Sequence, residues 1–287
     1  MPITDTPLRY PGGKTQLTPL VQEIMHANDL MQCIYCEPFA GGAGIACRLM
    51  VEGAISEAWI NDIDPAIYAF WNCVLTATDD LCELIQNTPI TIDEWHRQRE
   101  VQQRTRVSKV ALGFSTLFLN RTNRSGILRG GVIGGYKQEG KYPLDCRFNR
   151  VDLVRKVQRL ATYRDQIHLT CQDARLYIGS VVRKLPEHSL VNIDPPYFDK
   201  GPELYTSFYT ANDHAALARA IRAIKKPWML TYDNVPAIRR LYSGLPGTQK
   251  SLNYTAQVKK TGVELLILSP QLHAPRTIEL DLLPQAA

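Results

Sequence analysis

Apolar positions along this chain follow two periods in turn, and the switch between them outlines the fold. Leu17, Leu20, Val21, Ile24 and Met25 fall at i, i+3, i+4, i+7 and i+8, which marks one face of a helix. An apolar run at residues 33–37 then enters a glycine-rich turn, and helical spacing resumes over residues 45–52. This is the first half of a βαβ unit. Ala58-Trp-Ile-Asn-Asp reads as the next strand. Asp64 before Pro65 is a helix start, with the carboxylate as N-cap and the proline in the first turn, and helical pattern continues through Trp71 and Leu84. Strands are expected at 167–171, 190–193, 228–232 and 263–268, with a helix at 213–225. Residues 91–164 interrupt the alternation with a helical stretch at 109–119, a glycine-rich loop and hairpin after Gly126, and a helix at 152–163. No internal repeat or low-complexity tract is present. The sum is an α/β chain with a doubly wound sheet, built from residues 1–90 and 165–287 around an insertion at 91–164.

Charge sharpens this division. The chain has 287 residues and a net charge of +5, but residues 97–164 alone carry sixteen Lys/Arg against four Asp/Glu. That segment therefore stands at +12 and the remainder at −7. Mixed with asparagines and tyrosines, the basic stretch favours a polyanion-binding surface over a merely solvated face. The seven cysteines are odd in number and mostly lie in apolar segments, as reduced buried thiols do. Cys33-Ile-Tyr-Cys36 lacks a second ligand pair for zinc, and no H-x-E with P-C-x-x-C is present, so no metal is expected. The chain opens without a cationic, apolar leader, and no apolar run approaches the ~18 residues needed to span a bilayer, so a cytoplasmic protein is expected.

Candidate chemistry lies at the strand ends, where open α/β sheets bind ligands. Gly12-Gly-Lys14-Thr looks like the end of a phosphate-binding P-loop, but Leu8 stands where that loop needs a glycine and no buried strand precedes it. The segment either offers a helix N-terminus to an anion or is a plain entry turn. Gly41, Gly42 and Gly44 follow the first strand and allow a ligand close to the backbone. Asp62, eighteen residues beyond Gly44, suits ribose hydroxyls, whereas Asp64 has a sufficient role as a cap. Asp173 could pair with an adenine amino group or cap the next helix. The most specific stretch is Val191-Asn-Ile-Asp194-Pro-Pro-Tyr197, where two prolines after a buried strand give the chain a stiff path.

Pro-Gly-Gly-Lys14, Glu37-Pro-Phe39-Ala-Gly-Gly-Ala-Gly44 and Asp194-Pro195-Pro196-Tyr197, in this order along the chain, resemble the Dam-like, D12 class DNA adenine-N6 methyltransferases of the alpha group. The likeness runs to Glu264-Leu-Leu-Ile-Leu-Ser-Pro on the last strand. It implies a Rossmann-like methyltransferase sheet and methyl transfer from S-adenosylmethionine to a flipped adenine, giving S-adenosylhomocysteine without a metal. It assigns the cofactor to Tyr10, Lys14, Glu37, Phe39, Gly41, Gly42, Gly44, Asp62, Asp173 and Asp194, and catalysis to Asp194, Pro195, Pro196 and Tyr197. The insertion then becomes the target-recognition region, with Asn120, Arg121, Asn123, Arg124, Ser125, Arg129, Lys137 and Arg147 as candidate DNA contacts. The implied partner is double-stranded DNA in a bacterial or phage setting, with a restriction enzyme as a genetic companion and no stable protein partner. Cytosine-N4 methylation uses the same exocyclic-amine chemistry, and a non-catalytic methylase-like DNA-binding regulator is the alternative outside enzymes.

Overall fold

Strand β1 (Cys33–Glu37) lies beside β2 (Ile55–Asn61) on one side and β4 (Ser189–Ile193) on the other, all parallel. With β3 (Ile167–Thr170), β5 (Trp228–Asp233), β6 (Pro246–Thr255), β7 (Lys259–Leu268) and β8 (Asp281–Leu282), they form one sheet of order β3-β2-β1-β4-β5-β7-β6-β8. The first five strands are parallel, while β7 runs antiparallel between β5 and β6. The strand order reverses between β1 and β4, and a crevice opens at such a switch point. The computed structural model describes residues 4–9, 14–198, 209–255 and 259–284.

Successive strand residues face opposite sides of the sheet, so two cores form. Tyr35, Leu190, Met229 and Leu266 enter one, and Cys36, Val191, Leu230 and Leu265 the other. The first is covered by α1 (Thr18–Ala27), α2 (Gly44–Val51) and α3 (Pro65–Thr76), followed in the chain by α4 (Thr78–Asn87), α5 (Ile92–Val101), α6 (Lys109–Thr122) and α7 (Arg150–Ala161). The second is covered by α8 (Ala174–Ser180), α9 (Ala211–Arg222) and α10 (Pro236–Leu241). Both faces of the central strands are therefore buried, which is why they read as apolar runs. Cys33 and Cys36 enter opposite cores and cannot share a ligand. No helix among the described residues is long and apolar enough to cross a membrane.

The insertion has no separate core. Phe114, Leu117 and Phe118 of α6 and Leu153 and Val157 of α7 join the same cluster as Phe70 and Trp71 of α3. The hairpin expected after Gly126 does not form: residues 127–149 run mainly as turns, with one isolated bridge between Asn123 and Val132. Gly134 and Gly135 have positive φ there, which bends the chain repeatedly instead of extending it. Helix α5 and strand β6 carry no clear apolar period, so the hydrophobic pattern predicts neither.

Helix α6 approaches α3 closely at Gly113, where a Cβ would stand 2.7 Å from both the Ala69 carbonyl oxygen and Cys73 Sγ. Elsewhere in a helix Gly→Ala stabilises by about 0.5–1 kcal/mol. Here Gly113→Ala is expected to destabilise by about 1–3 kcal/mol, lowering the thermal midpoint by roughly 2–8 °C in a scanning calorimeter.

Candidate active site

The carboxyl end of β4 delivers Asp194-Pro195-Pro196-Tyr197 beside the glycine loop after β1. Asp194 Oδ1 accepts a hydrogen bond from Thr231 Oγ1 of β5 at 2.9 Å and pairs with Lys14 Nζ at 3.1 Å. Its side chain is 26% exposed, and no described residue bonds Oδ2. Lys14 stands at the start of a 3-10 turn (Thr15–Leu17) that leads into α1, and its side chain is only 3% exposed. Besides Asp194, its ammonium reaches Glu264 Oε1 of β7 at 3.1 Å, donates to the Tyr197 hydroxyl at 2.8 Å and lies 4.8 Å from the Tyr197 ring centre. Tyr197 in turn donates to Glu264 Oε1. Glu264 is buried, its Oε2 has no hydrogen-bond partner, and burial raises its carboxyl pKa against the opposing pull of Lys14.

The sequence pattern points to Lys14 as a holder of an anion from outside the chain. In the folded protein its ammonium joins two of the chain's own carboxylates. Glu264 lies outside the motifs, and its one signal in the sequence is a carboxylate at the head of the apolar run Leu265–Leu268. Tyr10, Gly12 and Gly13 lie outside the described residues.

After β1 the chain turns through Gly41 and Ala43, both at positive φ, into α2. Asp62, beyond β2, holds this turn: Oδ2 accepts Gly41 N–H at 2.8 Å and Oδ1 accepts Asp64 N–H at 2.9 Å. Burial raises the Asp62 carboxyl to about 6 despite these amides. Trp71 Nε1 donates to the Gly41 carbonyl at 2.9 Å, and Thr6 Oγ1 donates to the Gly42 carbonyl. A Cβ at Gly44 would collide with Thr15 Oγ1, so this glycine lets the Lys14 turn rest against the start of α2. Glu37 lies wholly inside, 3.5 Å from Asn192 Nδ2, and burial pushes its carboxyl up to about 8. Phe39 packs edge-on against Tyr209, which together with Phe198 meets the His214 ring. Asp64 caps α3 by accepting Ala66 N–H. Asp173 likewise caps α8 by accepting from Arg175 and Leu176 and pairs with Arg175, so capping, of its two readings, is the one the geometry provides.

Three of the eight candidate DNA contacts, Asn120, Arg121 and Asn123, are buried and bonded within the chain, which corrects their reading as DNA contacts. Asn120 exchanges hydrogen bonds with both backbone groups of Arg9 (2.7 and 2.8 Å) and reaches the Gly126 carbonyl. Arg121 Nε donates to the Pro7 carbonyl at 2.7 Å, and burial together with Arg9 lowers its pKa to about 10. Asn123 accepts from Trp95 Nε1 at 2.7 Å and donates to the Ile127 and Leu128 carbonyls. These side chains brace the segment that leads to Lys14 and the turn after α6. Ser125 occupies that turn at φ 56 and is half-buried. Arg124, Arg129 and Lys137 are exposed, and Arg147 is half-buried near Arg9. Tyr136, one of the tyrosines of the basic stretch, is 62% exposed and stacks on His96 with ring centres 5.8 Å apart.

A doubly wound sheet with a glycine loop after β1, an acid after β2 and Asp-Pro-Pro-Tyr after β4 defines a Rossmann-like, S-adenosylmethionine-dependent methyltransferase. The chain belongs to the D12 class N6 adenine-specific DNA methyltransferase family, whose profile matches residues 10–259. Its activity is S-adenosylmethionine-dependent methylation of adenine in DNA. A search of curated protein sequences found no match. Similar solved structures include an rRNA methyltransferase from Streptomyces viridochromogenes, with 14% identity over 90% of this chain and 85% of the other and a TM-score of 0.37. A SAM-dependent methyltransferase from Agrobacterium tumefaciens shares 12% identity over 90% of this chain and 63% of the other, with a TM-score of 0.41. Likeness at this level carries no argument about substrate.

The burial of Glu37 has a measurable consequence. Its folded-state pKa of about 8 lies above the ordinary carboxylate value, so the folded chain keeps a proton that the unfolded chain releases. Without ligand, the unfolding free energy is expected to fall as pH rises across that window, by about 1 kcal/mol per pH unit. Urea unfolding at a series of pH values should show a clearly flatter profile for Glu37→Gln.

Proposed function

We propose that Asp194 and Pro195 hold the N6 amino group of an adenine drawn out of the DNA stack, while the loop after β1 and Asp62 hold the cofactor. The observation that carries this reading is the divided Asp194 carboxylate: Oδ1 is held by Thr231 and Lys14, whereas Oδ2 remains open at the strand switch point.

The amine needs such help. The N6 lone pair is delocalised into the adenine ring, which makes the nitrogen a weak nucleophile. Asp194 Oδ2 and the Pro195 carbonyl accept its two N–H groups, localise electron density on nitrogen and fix its direction. Positioning and pre-set electrostatics of this kind supply most of the acceleration. When the N–C bond forms, N6 must lose a proton, and Oδ2 is the adjacent acceptor. The two prolines keep this geometry stiff. Extracting the base costs a few kcal/mol. Tyr197 lies beside this position, with Lys14 against its ring and its hydroxyl tied to Glu264.

S-adenosylmethionine, when bound, supplies an electrophilic methyl on a sulfonium and also carries an ammonium. The residues present fit such a ligand: Asp62 and Asp194 follow the carboxyl ends of β2 and β4 on either side of β1, Glu264 on β7 pairs in register with the end of β5, and Glu264 Oε2 is a buried acceptor without a partner. Residues 91–164 act as the target-recognition region, with Arg124, Arg129 and Lys137 on phosphates and the Tyr136–His96 pair as a stacking surface. Lys14 acts on the site through Asp194.

Incubation with labelled S-adenosylmethionine and mixed-sequence duplex DNA, followed by nucleoside analysis, is expected to yield N6-methyladenine. Asp194→Ala should lower the single-turnover rate by about a thousandfold or more while the chain stays folded by circular dichroism. Label on cytosine N4, or an active Asp194→Ala protein, would overturn the assignment.

A further inference from the structure

Resting on the assignment of Asp194 as the group that holds N6, we propose that Glu264 sets the net negative charge of the methyl-transfer site, and so its preference for the sulfonium cofactor over the neutral thioether product. Lys14, Asp194 and Glu264 place one ammonium between two carboxylates, each 3.1 Å from Nζ, so the ionised cluster carries one excess negative charge. The side chains of Lys14 and Glu264 are 3% and 5% exposed, so water screens this charge poorly.

Bracing alone does not require a carboxylate at this position. Glu264 Oε1 receives both Lys14 and the Tyr197 hydroxyl, a pair of donors that a glutamine oxygen has the lone pairs to accept, without the charge assistance. Oε2 adds no hydrogen bond and is buried, which is costly for an ionised group. What the carboxylate contributes over an amide is charge. The ionisable groups around it are Lys14 before α1, Asp194 and Tyr197 after β4, and its register neighbours Asp233 on β5 and Lys250 on β6.

Methyl transfer removes a positive charge from the ligand. The S–CH3 bond breaks and leaves its electron pair on sulfur, the N–CH3 bond forms, and the N6 proton departs to Asp194. Before transfer the ligand is a sulfonium cation; afterwards it is a neutral thioether. A fixed negative charge beside the site therefore favours the reactant over the product. Two unit charges about 10 Å apart at an effective dielectric near 20 correspond to roughly tenfold in affinity.

The test measures binding by titration calorimetry of the full chain with S-adenosylmethionine and S-adenosylhomocysteine. Glu264→Gln is expected to lower the affinity ratio of cofactor to product by roughly five- to twentyfold, with little change in product affinity. An unchanged ratio, or an equal fall in both affinities as expected for mere bracing, would overturn the proposal. A second measurement needs only the wild-type protein. At mildly acidic pH, in buffers of different ionisation enthalpy, cofactor binding should release more protons than product binding, because the sulfonium favours the ionised carboxylate. Equal release with both ligands overturns the proposal even if the variant does not fold. Failure of the wild-type protein to bind either ligand would instead sink the underlying assignment of the site.

Discussion

A buried ammonium between two carboxylates holds this molecule's chemistry together. Lys14, Asp194 and Glu264 come from the N-terminal turn, the end of β4 and the antiparallel strand β7, and only the folded sheet brings both carboxylates to 3.1 Å from the ammonium. Such a cluster is costly to bury unless hydrogen bonds complete it. The Tyr197 hydroxyl, bonded to both Lys14 and Glu264, and Thr231, bonded to Asp194, do so. Their combined effect is to orient both polar side chains of the Asp-Pro-Pro-Tyr loop from behind, leaving one carboxylate oxygen forward.

The support for Lys14 reaches well into the basic insertion. Asn120 and Arg121, at the end of α6, bind the backbone of residues 7–9, and Gly44 leaves room for Thr15 against α2. The insertion that presents cationic groups outward thus also steadies residues 7–9. The shared core of α3, α6 and α7 makes insertion and sheet one packed unit.

Much of the sheet was legible because its central strands are buried on both faces and its helices are amphipathic, so period and burial coincide. Asp64 before Pro65 announced a helix start that the structure contains, and Asp194-Pro-Pro-Tyr197 announced the site because only a demanding geometry needs two prolines at a strand end. Strand β6 escaped notice for the opposite reason: Thr248, Gln249, Lys250 and Ser251 present no apolar alternation, and the strand forms because β7 and β8 supply hydrogen bonds on its two sides. The glycine-rich stretch after Gly126 suggested a hairpin, but positive-φ glycines favour tight turns as readily as strand reversals.

Direction is what residue type could not convey. Asn120, Arg121 and Asn123 have the composition of a nucleic-acid surface, yet they lie on the inner side of α6 and its C-cap, where backbone carbonyls need donors. Asp173 carries a carboxylate suited to a nucleobase and spends it on a helix terminus. By itself, the sequence determined the alternation of strands and helices, the order of the motifs and the segregation of positive charge, because these follow from local periodicity and spacing. Only the tertiary structure decided that Lys14 faces Asp194 and Glu264, since that contact spans 180 residues to Asp194 and 250 to Glu264, and exists only after the strands have ordered themselves in the sheet.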